Sequence, residues 1–173
     1  MYDVLSFARS ELKKHFEKLG VSAEIDLGLF DESHPSLPVE NPFLDDAFII
    51  CVKNRRGYIS GSNERSVLMG VYRLLEEWGI RWVRPGKNGT YYPERCDARD
   101  VDIREKASLR HRTMCIEGAV SIENVLDMID WCPKAGFNGY YIQFSTAFTF
   151  FDRWYSHDRS TVKKPEPDRK SVV

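Results

Sequence analysis

The chain has 173 residues, 42% of them hydrophobic and 29% charged, with a formal net charge of -1, a balance that suits a folded domain with a sizeable core and excludes a disordered chain. A pI near 6.4 and an even spread of basic residues remove the electrostatic reason to hold nucleic acid or an anionic membrane, so neither is expected as a partner.

Near the N-terminus, Val4, Leu5, Ala8, Leu12, Phe16 and Leu19 recur at helical spacing between charges, which predicts an amphipathic helix. The stretch lacks the unbroken apolar run of a signal peptide, and no later segment is long and apolar enough to cross a bilayer. With Met1 as the start, a cytoplasmic protein is expected. "VSAEIDLGLF" then alternates, with Val21, Ala23, Ile25 and Leu27 on one side, and reads as a half-buried strand. "DESHPSLPVENPFLDD" crowds prolines and acids together and reads as a surface loop. "AFIICVK" and "YISGS", separated by "NRRG", predict an antiparallel hairpin.

The next segment, "GSNERSVLMGVYRLLEEWGIRWVRPG", is a helix between two turns. Ser62 or Asn63 caps it, Glu64 suits its positive end, and Val67, Leu68, Val71, Leu74, Leu75 and Trp78 line one face. Gly79 supplies a left-handed stop, "IRWV" reads as a strand and "RPGKNGTYYP" as a turn-rich exit. Gly57, Gly61 and Gly70 make no dinucleotide fingerprint, and there is no phosphate loop. Cys51, Cys96, Cys115 and Cys132 form no Cys-x-x-Cys pair and have no His at ligand spacing. They read as reduced core or half-core residues, and no metal or other cofactor is expected.

The charged "CDARDVDIREKAS" is the best candidate for a domain boundary. Beyond it, "LRHRTMCIEG" is a strand, "SIENVLDMIDWCPKAGF" a helix capped by Ser121 with Ile122, Val125, Leu126 and Ile129 inward, and "NGYYIQF" a second strand. Two strands joined by one helix make a β-α-β unit, the repeat of a parallel sheet or barrel. A single unit leaves strand edges unpaired, so the chain is expected to stop inside a domain. Its last six residues, "DRKSVV", match the peptide encoded by GATCGGAAGAGCGTCGTG, the start of a common sequencing-adapter oligonucleotide. Residues 168–173 are therefore expected to be an adapter or cloning scar, with the natural gene continuing past Pro167.

The "GSNERSVLMGVYRLLEE.G.RW..PG" pattern, followed by a spacer and "R.R" leading into a strand, resembles glycoside hydrolase family 20, the β-N-acetylhexosaminidases, where a non-catalytic second domain runs into the catalytic barrel. Similar accessory domains precede the barrels of α-glucuronidases and other hexosaminidase families. The resemblance covers roughly residues 21–144. It implies an α+β, zincin-like accessory domain over residues 1–106, then, over residues 107–167, the start of an incomplete (β/α)8 barrel beginning near Leu109. In that family an Arg on the first barrel strand binds sugar hydroxyls, and Arg112 stands at the matching place. The family's next residues differ: here Arg112-Thr113 leads to Glu117-Gly118-Ala119, and "YYIQF" replaces a His-Trp-His run. The family's chemistry belongs to an Asp-Glu pair ending the fourth barrel strand, with the substrate's acetamido oxygen as nucleophile. This chain stops before such a strand, so it carries no catalytic residue and is expected to be inactive.

Other candidate substrate-binding residues are Glu117 and Gln143, closing the two strands, and Trp154 and His157 in the aromatic "TFFDRWYSHD". Glu117 and Gln143 stand where a barrel places its chemistry, yet either suits a turn-capping role equally. The aromatics suit a sugar-stacking wall or burial against further barrel segments. Trp78, Arg81 and Trp82 read as the contact between the two domains, and a His111–His157 catalytic pair has no visible nucleophile, metal motif or acid partner. Two functions stay open: a glycosidase acting on terminal sugars of oligosaccharides or glycans, and a carbohydrate-binding or scaffold protein with a degenerate barrel. A bare α+β fold of unrelated function leaves the β-α-β tail unexplained.

Overall fold

The computed structural model describes residues 3–31, 33–116 and 122–142. In chain order the described elements are α1 (Val4–Leu19), β1 (Glu24–Leu29), β2 (Ala47–Lys53), β3 (Arg56–Gly61), α2 (Glu64–Glu77), β4 (Arg81–Trp82), β5 (Thr90–Tyr91), β6 (Val101–Lys106), β7 (Thr113–Ile116), α3 (Ile122–Trp131), a 3-10 turn (Cys132–Ala135) and β8 (Gly139–Ile142). They form an α+β structure around a mixed four-stranded sheet, ordered β1-β3-β2-β6.

The hairpin forms as its sequence predicts. Asn54 and Arg55 both take left-handed backbone angles, φ 51° and 62°, which is the two-residue turn whose twist matches paired strands. The Asp100 carboxylate accepts the Asn54 amide at 2.8 Å and helps hold it. Strand β1 pairs with β3, in parallel, and β6 closes the other side against β2. The charged stretch read as a boundary therefore contains a strand of the sheet. Its charges suit an edge, where an open row of backbone groups must be kept from pairing with other chains, while Val101 turns into the core.

Helices α1 and α2 pack together over one face of the sheet, burying Leu12 and Phe16 of α1 and Val67, Val71, Leu74 and Leu75 of α2 among Leu27, Ile50 and Ile59. The predicted apolar face of α2 is buried throughout, and Tyr72 and Met69 on its flanks are buried too. Gly70 permits the approach, because a Cβ there would stand 2.6 Å from the Ile59 side chain. The cost of a mid-helix glycine, about 1 kcal/mol, is offset by closer helix-sheet packing. The opposite sheet face is crossed by the proline-rich loop. The Ser60 hydroxyl donates to the Pro35 carbonyl at 3.3 Å and the Lys106 ammonium to that of Pro38 at 3.1 Å. Ile49 and Ser60, on this face by alternation, are accordingly buried.

Of the two possible α2 caps, Asn63 serves: its side-chain oxygen accepts the Ser66 amide at 2.9 Å. The Ser62 hydroxyl instead donates to the Asp45 carbonyl at 2.6 Å and accepts the Ala47 amide at 3.1 Å. Asn63→Ala is expected to cost about 1 kcal/mol in urea unfolding; an unchanged midpoint would show that the cap is redundant.

The second unit is β7-α3-β8, with β7 and β8 parallel and Ile116 opposite Ile142. The predicted helix is cut at Trp131, and a 3-10 turn starts around Pro133, whose ring cannot continue the α-helical ladder. Its expected inner face is only half buried: Ile122 and Val125 are covered, whereas Leu126 and Ile129 are 52% and 47% exposed. Ser121, the expected cap, lies outside the described residues. The cysteines are free; Cys132 is buried and Cys51 and Cys96 half-buried, but Cys115 on β7 is exposed, contrary to the expected core role.

Candidate functional site

The two units meet at a polar joint that begins with the acid pair ending the long loop. Asp46 is 3% exposed, and its carboxylate accepts from six side-chain donors, the longest from the Asn63 NH2 to Oδ1 at 3.3 Å. Arg65 Nε and Nη2 bond Oδ1 at 2.9 and 2.7 Å, and the Ser66 hydroxyl does so at 3.2 Å. Arg112 Nη2 and the Asn138 amide bond Oδ2 at 2.6 and 2.8 Å. Burial would raise the Asp46 carboxyl, but the hydrogen bonds from Arg65, Arg112 and Asn138 outweigh it and hold the group below the usual range. Beside it, the Arg110 guanidinium bonds Asp45 at 2.7 Å and, with the Asn41 amide, holds that carboxyl down to about 2.

Arg112 and Asn138 stand just before β7 and β8, at the N-terminal ends of the parallel pair. They lock each other: the Arg112 amide donates to Asn138 Oδ1 at 2.9 Å, and the Asn138 amide donates to the Arg112 carbonyl at 2.9 Å. The Asn138 side-chain NH2 also donates to the Arg110 carbonyl at 2.7 Å. Arg112 Nε and Nη1 donate to the carbonyls of Gly136 and Leu109, each at 2.7 Å. All three guanidinium nitrogens therefore have protein partners, and no paired N–H face is open for two vicinal hydroxyls.

A cleft of about 480 Å³ opens beside this joint, lined by Phe48, Met69, Arg73, Glu105, Arg112 and Lys134 among others. Three of its four lining cations are matched by carboxylates: Arg73 to Glu77 and Glu105 at 2.6 and 3.0 Å, Arg112 to Asp46, and Lys134 to Asp130, whereas the Lys106 ammonium donates to the Pro38 carbonyl. Glu76, also on the cleft, is pushed up by burial. With most of its positive charge neutralised internally, the cleft is poorly suited to trapping an anion.

Further contacts tie the second unit down. The Trp131 indole donates to the Trp82 carbonyl at 3.1 Å, and Lys134 Nζ lies 5.5 and 5.7 Å from the ring centres of Tyr72 and Trp82. Trp82 thus lies at the contact between units, as expected. Trp78 does not: it is 2% exposed in the first unit's core, stacked 5.2 Å from Phe16, with its indole bonded to the Arg99 carbonyl. Arg81 turns back to the carbonyls of Glu76 and Ile80.

Of the sequence-predicted site residues, Arg112 is placed at the joint, whereas Glu117, Gln143, Trp154 and His157 lie outside the described residues. His111, the near half of the unsupported histidine pair, is exposed. Asp46 and Asn138 were missed. The signal for Asp46 was a doublet, Asp45-Asp46, facing a second doublet, Arg110 and Arg112, across the proposed boundary. Among the described residues, no group of three or more His, Cys, Asp or Glu side chains is placed to hold a metal ion, and no helix is long and apolar enough to cross a membrane. No protein-family model, curated protein or solved structure matches the chain.

Proposed function

We propose that the chain is the N-terminal part of a glycoside hydrolase of the β-N-acetylhexosaminidase type, acting in the cytoplasm on terminal sugars of oligosaccharides or glycans. In this reading the α1–β6 unit is the zincin-like accessory domain and β7-α3-β8 is the first repeat of the (β/α)8 barrel. The observation that carries it is the parallel β7–β8 pair, joined through α3 and seated directly on the α+β unit. Among the described residues this pair has no third strand, and Leu126 and Ile129 of α3 are left uncovered. Both features suit a sheet that continues.

A barrel keeps its chemistry at the C-terminal ends of its strands and its stabilising contacts at the N-terminal ends. Glu117 and Gln143, each next in sequence after the last strand residue, are accordingly the proposed hydroxyl-binding groups, with Trp154 and His157 beyond them. Arg112, at the opposite end, supports the site by holding the strand start, a different task from the sugar contact implied by resemblance.

Purified 173-residue chain is expected to release no 4-nitrophenol above background from aryl N-acetylhexosaminides, because the Asp-Glu strand is missing. The product of the uninterrupted native gene is expected to release it. Turnover by the short chain that disappears in Glu117→Gln would place the chemistry on residues this reading excludes. An inactive native product that still binds N-acetylglucosamine would favour the binding protein.

A further inference from the structure

The densest cluster of buried polar contacts between the two units converges on one side chain, Asp46. Its Oδ1 faces the first unit, through Arg65 and Ser66 at the start of α2. Its Oδ2 faces the second, through Arg112 and Asn138 at the starts of β7 and β8. A single carboxylate thus spans two structural blocks with one oxygen given to each. At 3% exposure it is a group that water cannot easily serve if a partner is lost.

We propose that Asp46 is the positioning residue of the β7-α3-β8 unit: by gripping Arg112 and Asn138 it sets the register of β7 against β8. Register in a parallel pair is otherwise weakly specified here. The strands are only four residues each, and no tight turn fixes their alignment as it does in a hairpin. Asn138 and Arg112 bond each other's backbone, which aligns the strand starts, and Asp46 holds both side chains against the first unit. The first unit then acts as the template on which the β7-α3-β8 unit is aligned. What the far ends of the strands bind rests on the glycosidase reading; the clamp itself does not.

The test is amide exchange by NMR on the full 173-residue chain, with Asp46→Asn, Asn138→Ala and the double variant. Loss of a hydrogen bond to a charged group lowers protection by about tenfold to a hundredfold. That loss is expected at Met114, Cys115, Tyr140 and Tyr141 in both single variants, with Ile50 and Ile59 in the central hairpin unchanged. In Asp46→Asn the side-chain NH2 signals of Asn138 should also move toward exposed-amide positions, a signature that general loosening of the first unit would not give. The double variant should lose little more than either single one, since both break the same link. Unchanged exchange in β7 and β8, additive losses, or acceleration confined to the first sheet would overturn the proposal. Should Asp46→Asn fail to fold because Arg65 and Ser66 also depend on it, Asn138→Ala decides alone, on the same amides. Titrating the native gene product with N-acetylglucosamine separates the two claims: no binding with the exchange pattern intact rejects the glycosidase reading and leaves the clamp standing.

Discussion

Replacing Gly57 with alanine is expected to destabilise the protein by about 3 kcal/mol or more, a large fraction of the total stability of a small domain. A Cβ on Gly57 would overlap the Cys51 carbonyl oxygen and press on Val52 Cα at 2.9 Å. These are backbone atoms of the paired strand, so no rotamer change relieves the clash. β2 and β3 are the two central strands of the four, and displacing one shifts the floor beneath both helices. Gly20→Ala provides the comparison. Gly20 has a left-handed φ of 65° but nothing within 4 Å of an added Cβ, so its replacement should cost only about 1 kcal/mol. Equal losses in urea titrations of the two variants would show that the sheet tolerates the displacement.

The second large effect is expected in acid. Glu11 on α1 is 5% exposed, and its carboxylate accepts from Lys14 at 2.7 Å and the Tyr72 hydroxyl at 3.0 Å, with His15 Nε2 3.4 Å away. Burial would raise its carboxyl, but the neighbouring His15 imidazole and the Lys14 ammonium more than offset this and bring it from 4.5 to about 2. A depressed native value means that the unfolded chain takes up the proton first. The stabilisation is therefore complete above about pH 4.5 and is lost as pH falls toward 2. A shift of that size corresponds to about 3 kcal/mol. Glu11→Gln should lower stability at pH 7 and lose less further stability than the wild type between pH 4.5 and 2. Parallel pH-stability curves for the two proteins would assign the acid sensitivity to other carboxylates, with Asp45 and Asp46 the leading alternatives.

Local elements were legible in the sequence because each announces itself through spacing. The α1 and α2 stripes, the Asn-containing hairpin turn and the Gly79 stop, φ 100° in the structure, all follow from side-chain periodicity and turn chemistry within a few residues. Pairing was less legible. An alternating strand such as β1 does not state whether β2 or β3 will be its neighbour, and the answer depends on the loop carrying the chain over the sheet's outer face. Strand β6 was hidden for a related reason: an edge strand with one thin apolar face reads as a charged linker. The joint was hidden most completely. Asp46 looks like one more acid in a polar loop, and its burial becomes visible only when Arg65, Arg112 and Asn138 converge on it from positions far apart in the chain.

The joint binds the α1–β6 and β7-α3-β8 units into one network. Residues on both sides of the proposed boundary share carboxylate, indole and ammonium contacts, through Asp45, Asp46, Trp82 and Lys134. A shared network of this kind favours units that move and unfold together over units hinged by a linker.

The glycosidase proposal is tested most directly by the reading frame past the codon for Pro167, taken from uninterrupted native DNA. A long continuation with further β-α repeats and an adjacent Asp-Glu at the end of a fourth barrel strand is the result expected of a glycosidase. A native stop codon at or near that point would contradict the proposal and leave the β7-α3-β8 unit without the barrel to which it is assigned.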